Sequence, residues 1–74
     1  MARILIVDDE QSIRETLREI LEYEGYEIEE AEDGDKALSL IKKFNYDAVL
    51  ADIKMPKLDG LELLEKAKEI APEL

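Results

Sequence analysis

Three carboxylates stand where apolar runs stop. Asp8 and Asp9 directly follow Ile-Leu-Ile-Val at residues 4–7, and Asp52 directly follows Ala-Val-Leu-Ala at residues 48–51. A strand buried on both faces reads as a continuous apolar run, and an acid cannot prolong it. Each carboxylate therefore marks a strand end, the edge at which open α/β sheets keep their sites. If the two strands are neighbours, the three acids share one crevice and repel each other. They then need raised pKa values or a cation between them. The chain has no His and no Cys, which removes the usual general base, the thiolate nucleophile and the soft-metal ligands. The cation that suits the remaining donors is Mg²⁺, bound by carboxylate oxygens, waters and phosphate oxygens. Mg²⁺ between Asp9 and Asp52 would neutralise the site and clamp a phosphoryl donor, and a carboxylate could then attack phosphorus to give an aspartyl phosphate. The competing reading is that all three are solvated acids. Their joint occurrence at the ends of two runs favours a site.

Other polar or turn-forming residues read as structural. Ser12 and Glu15 have the spacing of a capping box, and nothing nearby could activate Ser12 as a nucleophile. Met55 reads as packing, Pro56 and Gly60 as turn chemistry, and Asp59 as the cap of a helix that follows.

The elements that would position these residues alternate. Residues 4–7 form a buried strand. Ile13, Leu17, Ile20 and Leu21 recur at helical spacing over about residues 11–24, and Gly25 is the expected stop. Residues 26–31 alternate polar and apolar, as suits a sheet edge. Glu32-Asp33-Gly34-Asp35 signals a turn and a helix start, with acids where the helix dipole favours them. Ala37, Leu38, Ile41 and Phe44 then keep helical spacing to about residue 44. Residues 48–51 are continuously apolar and read as a central strand. Leu61, Leu64, Ala67, Lys68, Ile70 and Ala71 outline a third helix, with Pro72 near its end.

The order β-α-β-α-β-α implies parallel strands with right-handed crossovers. An edge-like second strand and two buried ones predict the strand order 2-1-3, with the first helix on one face and the other two on the opposite face. The chain then reverses direction between strands 1 and 3, and a crevice opens at their carboxyl ends.

Composition narrows the function classes. Seventy-four residues allow one domain, near the size at which a single core is marginal. Twenty acids face ten bases, which argues against nucleic-acid binding, since that rests on clustered Lys and Arg. The few aromatics form no stacking platform. No apolar run approaches a membrane span or a signal-peptide core, so a cytoplasmic location is expected.

Taken together, Asp8-Asp9 after the first strand, Ala31-x-x-Gly34-x-x-Ala37-Leu38 across the second helix, and Asp52-x-x-Met55-Pro56-x-x-Asp59-Gly60 resemble the receiver domain of two-component response regulators. The resemblance runs from Ile4 to about Leu74. It implies a flavodoxin-like α/β fold, a doubly wound parallel sheet. It also implies a signalling module rather than an enzyme. Asp52 would be the phosphoacceptor, and a sensor histidine kinase the donor through its phosphohistidine. Asp9 and Asp52 would bind Mg²⁺ directly with the backbone carbonyl of Lys54, and Asp8 would act through a metal-bound water.

Receivers of this family have five βα units, and residues 1–74 hold three. The chain therefore reads as a receiver truncated before strand 4, without the later-strand Ser/Thr and Lys that the family uses at the phosphoryl group. Lys36, Lys54 and Lys57 do not fill that place. Impaired phosphotransfer and signalling are expected of such a fragment. Strand 3 would be left with an open apolar edge, so a homodimer or larger assembly through that edge is also expected. Two other readings compete. One is an excised or engineered half-domain, self-associating and inactive. The other is a Mg²⁺-dependent phosphohydrolase of the haloacid dehalogenase type. That family resembles Asp-x-Asp after its first strand, whereas here Asp8 and Asp9 are adjacent and Asp52-Ile53-Lys54 lacks the second acid.

Overall fold

The run Ile4-Leu5-Ile6-Val7 becomes the centre of the molecule. It forms most of β1 (Arg3–Val7), and all four of these residues are buried. The computed structural model describes residues 2–52 and 60–71, and the chain continues as α1 (Gln11–Tyr23), β2 (Glu27–Ala31), α2 (Gly34–Lys43), β3 (Ala48–Ala51) and α3 (Gly60–Ile70). β1 pairs in parallel with β2 on one side and β3 on the other, in the order β2-β1-β3. Ile4 lies opposite Ile28 and Ala48, and Val7 opposite Ala31 and Ala51. This is the architecture expected from the alternation of apolar runs.

Strand side chains alternate between faces, so β1 builds two cores at once. Ile4 and Ile6 pack with Ile28, and Leu17 and Leu21 of α1 and Ala48 cover them. Leu5 and Val7 point the other way, into Ala31, Ala37, Ile41, Tyr46, Leu63 and Ala67 beneath α2 and α3. One helix thus lies on one face and two on the other. Burying each of the large β1 side chains contributes about 1.5–3 kcal/mol, and this is the main driving force in so short a chain.

The helix boundaries follow local chemistry. α1 ends in a Schellman motif: Tyr26 N–H donates to the Leu21 carbonyl at 3.2 Å and Gly25 N–H to Glu22 at 3.0 Å. Gly25 carries the positive φ this requires, +95°. Asp33 caps α2, its carboxylate accepting from the Lys36 amide at 2.8 Å. Asp35 in the first turn and Lys42 and Lys43 in the last complement the helix dipole.

Three local expectations are corrected. Ser12 and Glu15 do not form a capping box: α1 starts at Gln11 with Glu10 as N-cap and no side-chain cap bond. The Glu15 carboxylate is instead reached by Gln11 Nε2 at 2.9 Å, and the Asp8 carboxylate takes the Glu10 amide. Phe44 leaves the helical stripe. α2 stops at Lys43, and Phe44 turns outward under the Arg3 guanidinium, 5.8 Å from its ring centre. In α3 the inward pair is Leu63 and Ala67, while Leu61 and Leu64 are exposed. That helix has two apolar stripes, and the sheet takes the one whose Leu and Ala fit beside α2. As the order 2-1-3 predicts, β3 is an outer strand among the described residues despite its continuously apolar sequence, with Leu50 43% exposed. Met55, Pro56, Asp59 and Pro72 lie outside the described residues.

Two measurements check this account. Gly25→Ala should lose about 1–2 kcal/mol in urea unfolding, all of it backbone strain, because a Cβ there meets nothing within 4 Å. The second concerns Tyr46, buried beneath α2, whose hydroxyl donates to the Glu29 carboxylate. Burial, then that hydrogen bond and the Glu29 charge, push its pKa above the ordinary value. The folded state therefore favours the protonated phenol. That stabilisation is complete below about pH 10 and is lost as pH rises beyond it. Between about pH 8 and about pH 11 the unfolding midpoint should fall, and Tyr46→Phe should flatten the fall.

Candidate metal centre

The carboxyl end of the sheet is where the three acids meet. The ladder runs one residue past each strand: Asp52 N–H donates to the Val7 carbonyl at 3.0 Å, and Asp8 N–H to Ala31 at 3.2 Å. Because β1 and β3 are parallel neighbours, Asp8 and Asp52 emerge side by side. Asp9 follows on the loop into α1. One carboxylate oxygen from each of Asp8, Asp9 and Asp52 lies within 4.8 Å of the others. Asp9 is exposed, Asp8 is only 9% exposed, and Asp52 is intermediate. The structure thus brings together the three carboxylates singled out in the sequence. Lys54, expected to offer its backbone carbonyl, lies outside the described residues.

The donor set is all oxygen and all anionic, which suits a hard divalent cation. Two oxygens on opposite sides of a Mg²⁺ ion stand about 4 Å apart, so the spacing of the cluster is of the right size. One Asp8 oxygen is already committed, accepting from the Glu10 amide at 2.9 Å. That bond fixes the turn through one of the two Asp8 carboxylate oxygens.

Sequence reasoning missed the cations near this end of the sheet and the phenol on its opposite face. Arg14 donates through Nη1 to the Asp8 carbonyl at 2.6 Å and through Nε to Glu30 at 3.3 Å. Arg18 reaches the other Glu30 oxygen at 2.7 Å. The signal was present: Arg14 and Arg18 are one helical turn apart, and Glu30 is the acid that strand alternation turns toward α1. Glu29 faces the opposite side and takes the Tyr46 hydroxyl. Every fully buried side-chain polar atom among the described residues has a hydrogen-bond partner.

Comparison with known proteins agrees with this geometry. Residues 4–74 match the profile of the response regulator receiver domain. Response regulator MprA of Mycolicibacterium vanbaalenii is 46% identical over 72 residues, which are 97% of this chain and 31% of that protein. The chain therefore spans about a third of that curated relative. A crystal structure of response regulator protein TrrA from Thermotoga maritima, in complex with Mg²⁺-BeF, superposes with a TM-score of 0.93 at 49% identity, covering 97% of this chain and 63% of that one. A crystal structure of histidine kinase ThkA in complex with TrrA matches with a TM-score of 0.92 at 48% identity, covering 99% and 63%. Sheet order, acidic strand ends and sequence identity converge, and the chain belongs to the response regulator receiver domain family of two-component signalling.

Proposed function

We propose that residues 1–74 act as a receiver unit in which Asp52 accepts a phosphoryl group from the phosphohistidine of a sensor histidine kinase. The observation that carries this is the meeting of Asp8, Asp9 and Asp52 at the ends of two hydrogen-bonded parallel strands. The related TrrA, crystallised with Mg²⁺-BeF and with a histidine kinase, supports the same reading. Asp9 and Asp52 would hold Mg²⁺, with the Lys54 carbonyl, and Asp8 would act through water. Bound there, Mg²⁺ supplies the positive charge that lets anionic oxygens approach one another.

The chain's own residues do the rest. The Asp52 carboxylate is aimed from a rigid strand end, its amide anchored on Val7. Its oxygen forms a bond to phosphorus as the phosphorus–nitrogen bond of the phosphohistidine breaks. The imidazole keeps that electron pair and takes a proton from solvent. The product is an acyl phosphate, and catalysis is mainly positioning and charge compensation. No helix among the described residues is long and apolar enough to cross a membrane, which fits action in the cytoplasm.

A second copy of the chain is the partner that the outer side of β3 favours. No described strand pairs with that side, and Leu50 of the same strand is 43% exposed. A groove of about 250 Å³ lined by Asp47, Ala48, Val49, Leu64, Ala67 and Lys68 runs beside it. β3–β3 pairing between copies would satisfy the backbone groups of that edge.

Two experiments test these readings. Incubation with acetyl phosphate and Mg²⁺ should add one phosphoryl group by intact-mass spectrometry, and Asp52→Asn should remove the addition. Incorporation persisting in that variant would refute the assignment. For self-association, light scattering should show a dimer that tightens with salt, since salt screens repulsion between chains of net charge −10. Leu50→Lys should shift it to monomer, and a monomer at all salt concentrations would refute the edge pairing.

A further inference from the structure

Arg14 stands out among the charged side chains that the phosphotransfer reading does not use. It lies on α1, its side chain is 13% exposed, and it makes two bonds to the turn carrying the acids and one to β2. Its amide donates to the Glu10 carbonyl at 3.1 Å, closing the first turn of α1. Its Nη1 donates to the Asp8 carbonyl at 2.6 Å, the shortest bond it makes. Its Nε donates to Glu30 of β2 at 3.3 Å, and Glu30 is held from its other oxygen by Arg18 at 2.7 Å. The turn is also held from within, the Asp8 carboxylate accepting from the Glu10 amide at 2.9 Å. Asp9 lies between these two fixed residues, and no backbone–backbone hydrogen bond among the described residues holds it.

We infer that Arg14 is a positioning residue for the acidic centre: its planar guanidinium straps the Asp8-Asp9-Glu10 turn to Glu30 and so fixes where the Asp9 carboxylate is presented. This rests on the reading of Asp8, Asp9 and Asp52 as a Mg²⁺ site. The guanidinium is suited to the task because it can reach a carbonyl and a carboxylate at once from one rigid plane, whereas a lysine ammonium on a flexible stem has no such fork. The interaction also meets a charge requirement. A cation bonded to the Asp8 carbonyl sits on the backbone side of a turn crowded with three acids, where it offsets their repulsion without occupying the space between Asp9 and Asp52. Partners that orient the residues holding a metal commonly affect affinity by about 10–100-fold when removed.

The test reads the turn and the ion separately. Amide hydrogen exchange by NMR, in the absence of divalent cation, reports the Glu10 amide. Calorimetric titration with MgCl₂ reports affinity. Arg14→Gln should speed exchange at Glu10 and weaken Mg²⁺ binding by about tenfold. Arg14→Lys should fail to restore either, and Glu30→Gln, a near-isosteric change on the other end of the strap, should shift both in the same direction. Arg3→Gln, at the opposite end of the sheet, is the control and should change neither. Unaltered Mg²⁺ affinity in Glu30→Gln and in either Arg14 variant that folds, judged by circular dichroism, overturns the inference, as does full rescue by Arg14→Lys. If the unaltered chain binds no Mg²⁺ and Asp52→Asn changes nothing, the metal reading fails and the inference falls with it. Binding lost in Asp52→Asn but retained in the strap variants overturns the strap alone.

Discussion

The parallel register of β1 is the constraint on which the molecule depends. With Val7 opposite both Ala31 and Ala51, the three strands end at one level. Whatever follows each strand is then delivered to the same edge. That is how residues 44 positions apart, Asp8 and Asp52, come to lie together. The backbone ladder holds like charges in proximity, and its cost is spread over the hydrogen bonds and apolar contacts of a strand that is buried on both faces. A slip of one residue in either pairing would turn the inward side chains of that neighbouring strand to the wrong face and move the end of the strand relative to β1 at the same time. Fold and site are therefore specified by one set of contacts.

The same alternation distributes charge across the sheet. Glu29 and Glu30 are adjacent in sequence and face opposite layers, and each finds a partner suited to its surroundings. Glu29 meets a phenol beneath α2, where a neutral donor avoids burying a second charge. Glu30 meets two arginines on the more open α1 side. Surface ion pairs are worth little singly. Here their value is directional: they connect β2, α1 and the β1–α1 turn into one rigid corner next to the acids.

Much of this was legible in the residues. β1 and β3 were plain because their apolar runs are continuous and end in acids, and the strand order followed from the mixed character of residues 26–31. The meeting of Asp8, Asp9 and Asp52 was legible for the same reason, since strand ends locate them without side-chain detail. What escaped were choices among near-equivalent local partners. The Ser12–Glu15 spacing was real, but Asp8 already held the Glu10 amide. α3 offered two apolar stripes, and only packing against α2 chose Leu63 over Leu61 and Leu64. Arg14 looked like one more charge on a helix, because its partners are a carbonyl and a glutamate that only the folded sheet brings close.

The central place of β1 has a consequence for how the chain is made. The strand that must be flanked on both sides is the first of the three to be synthesised. Its neighbours follow only at residues 27–31 and 48–51. Until the second of these has emerged, Ile4, Leu5, Ile6 and Val7 lack one of their two flanking strands, and such transient apolar exposure is what chaperones and aggregation compete for. Arg3 immediately before this run and Asp8 and Asp9 immediately after it put charge at both of its ends. Flanking charges of this kind keep short apolar strands from pairing with other chains. The acids that make the site would thus have an earlier use, guarding the strand they terminate before the site exists.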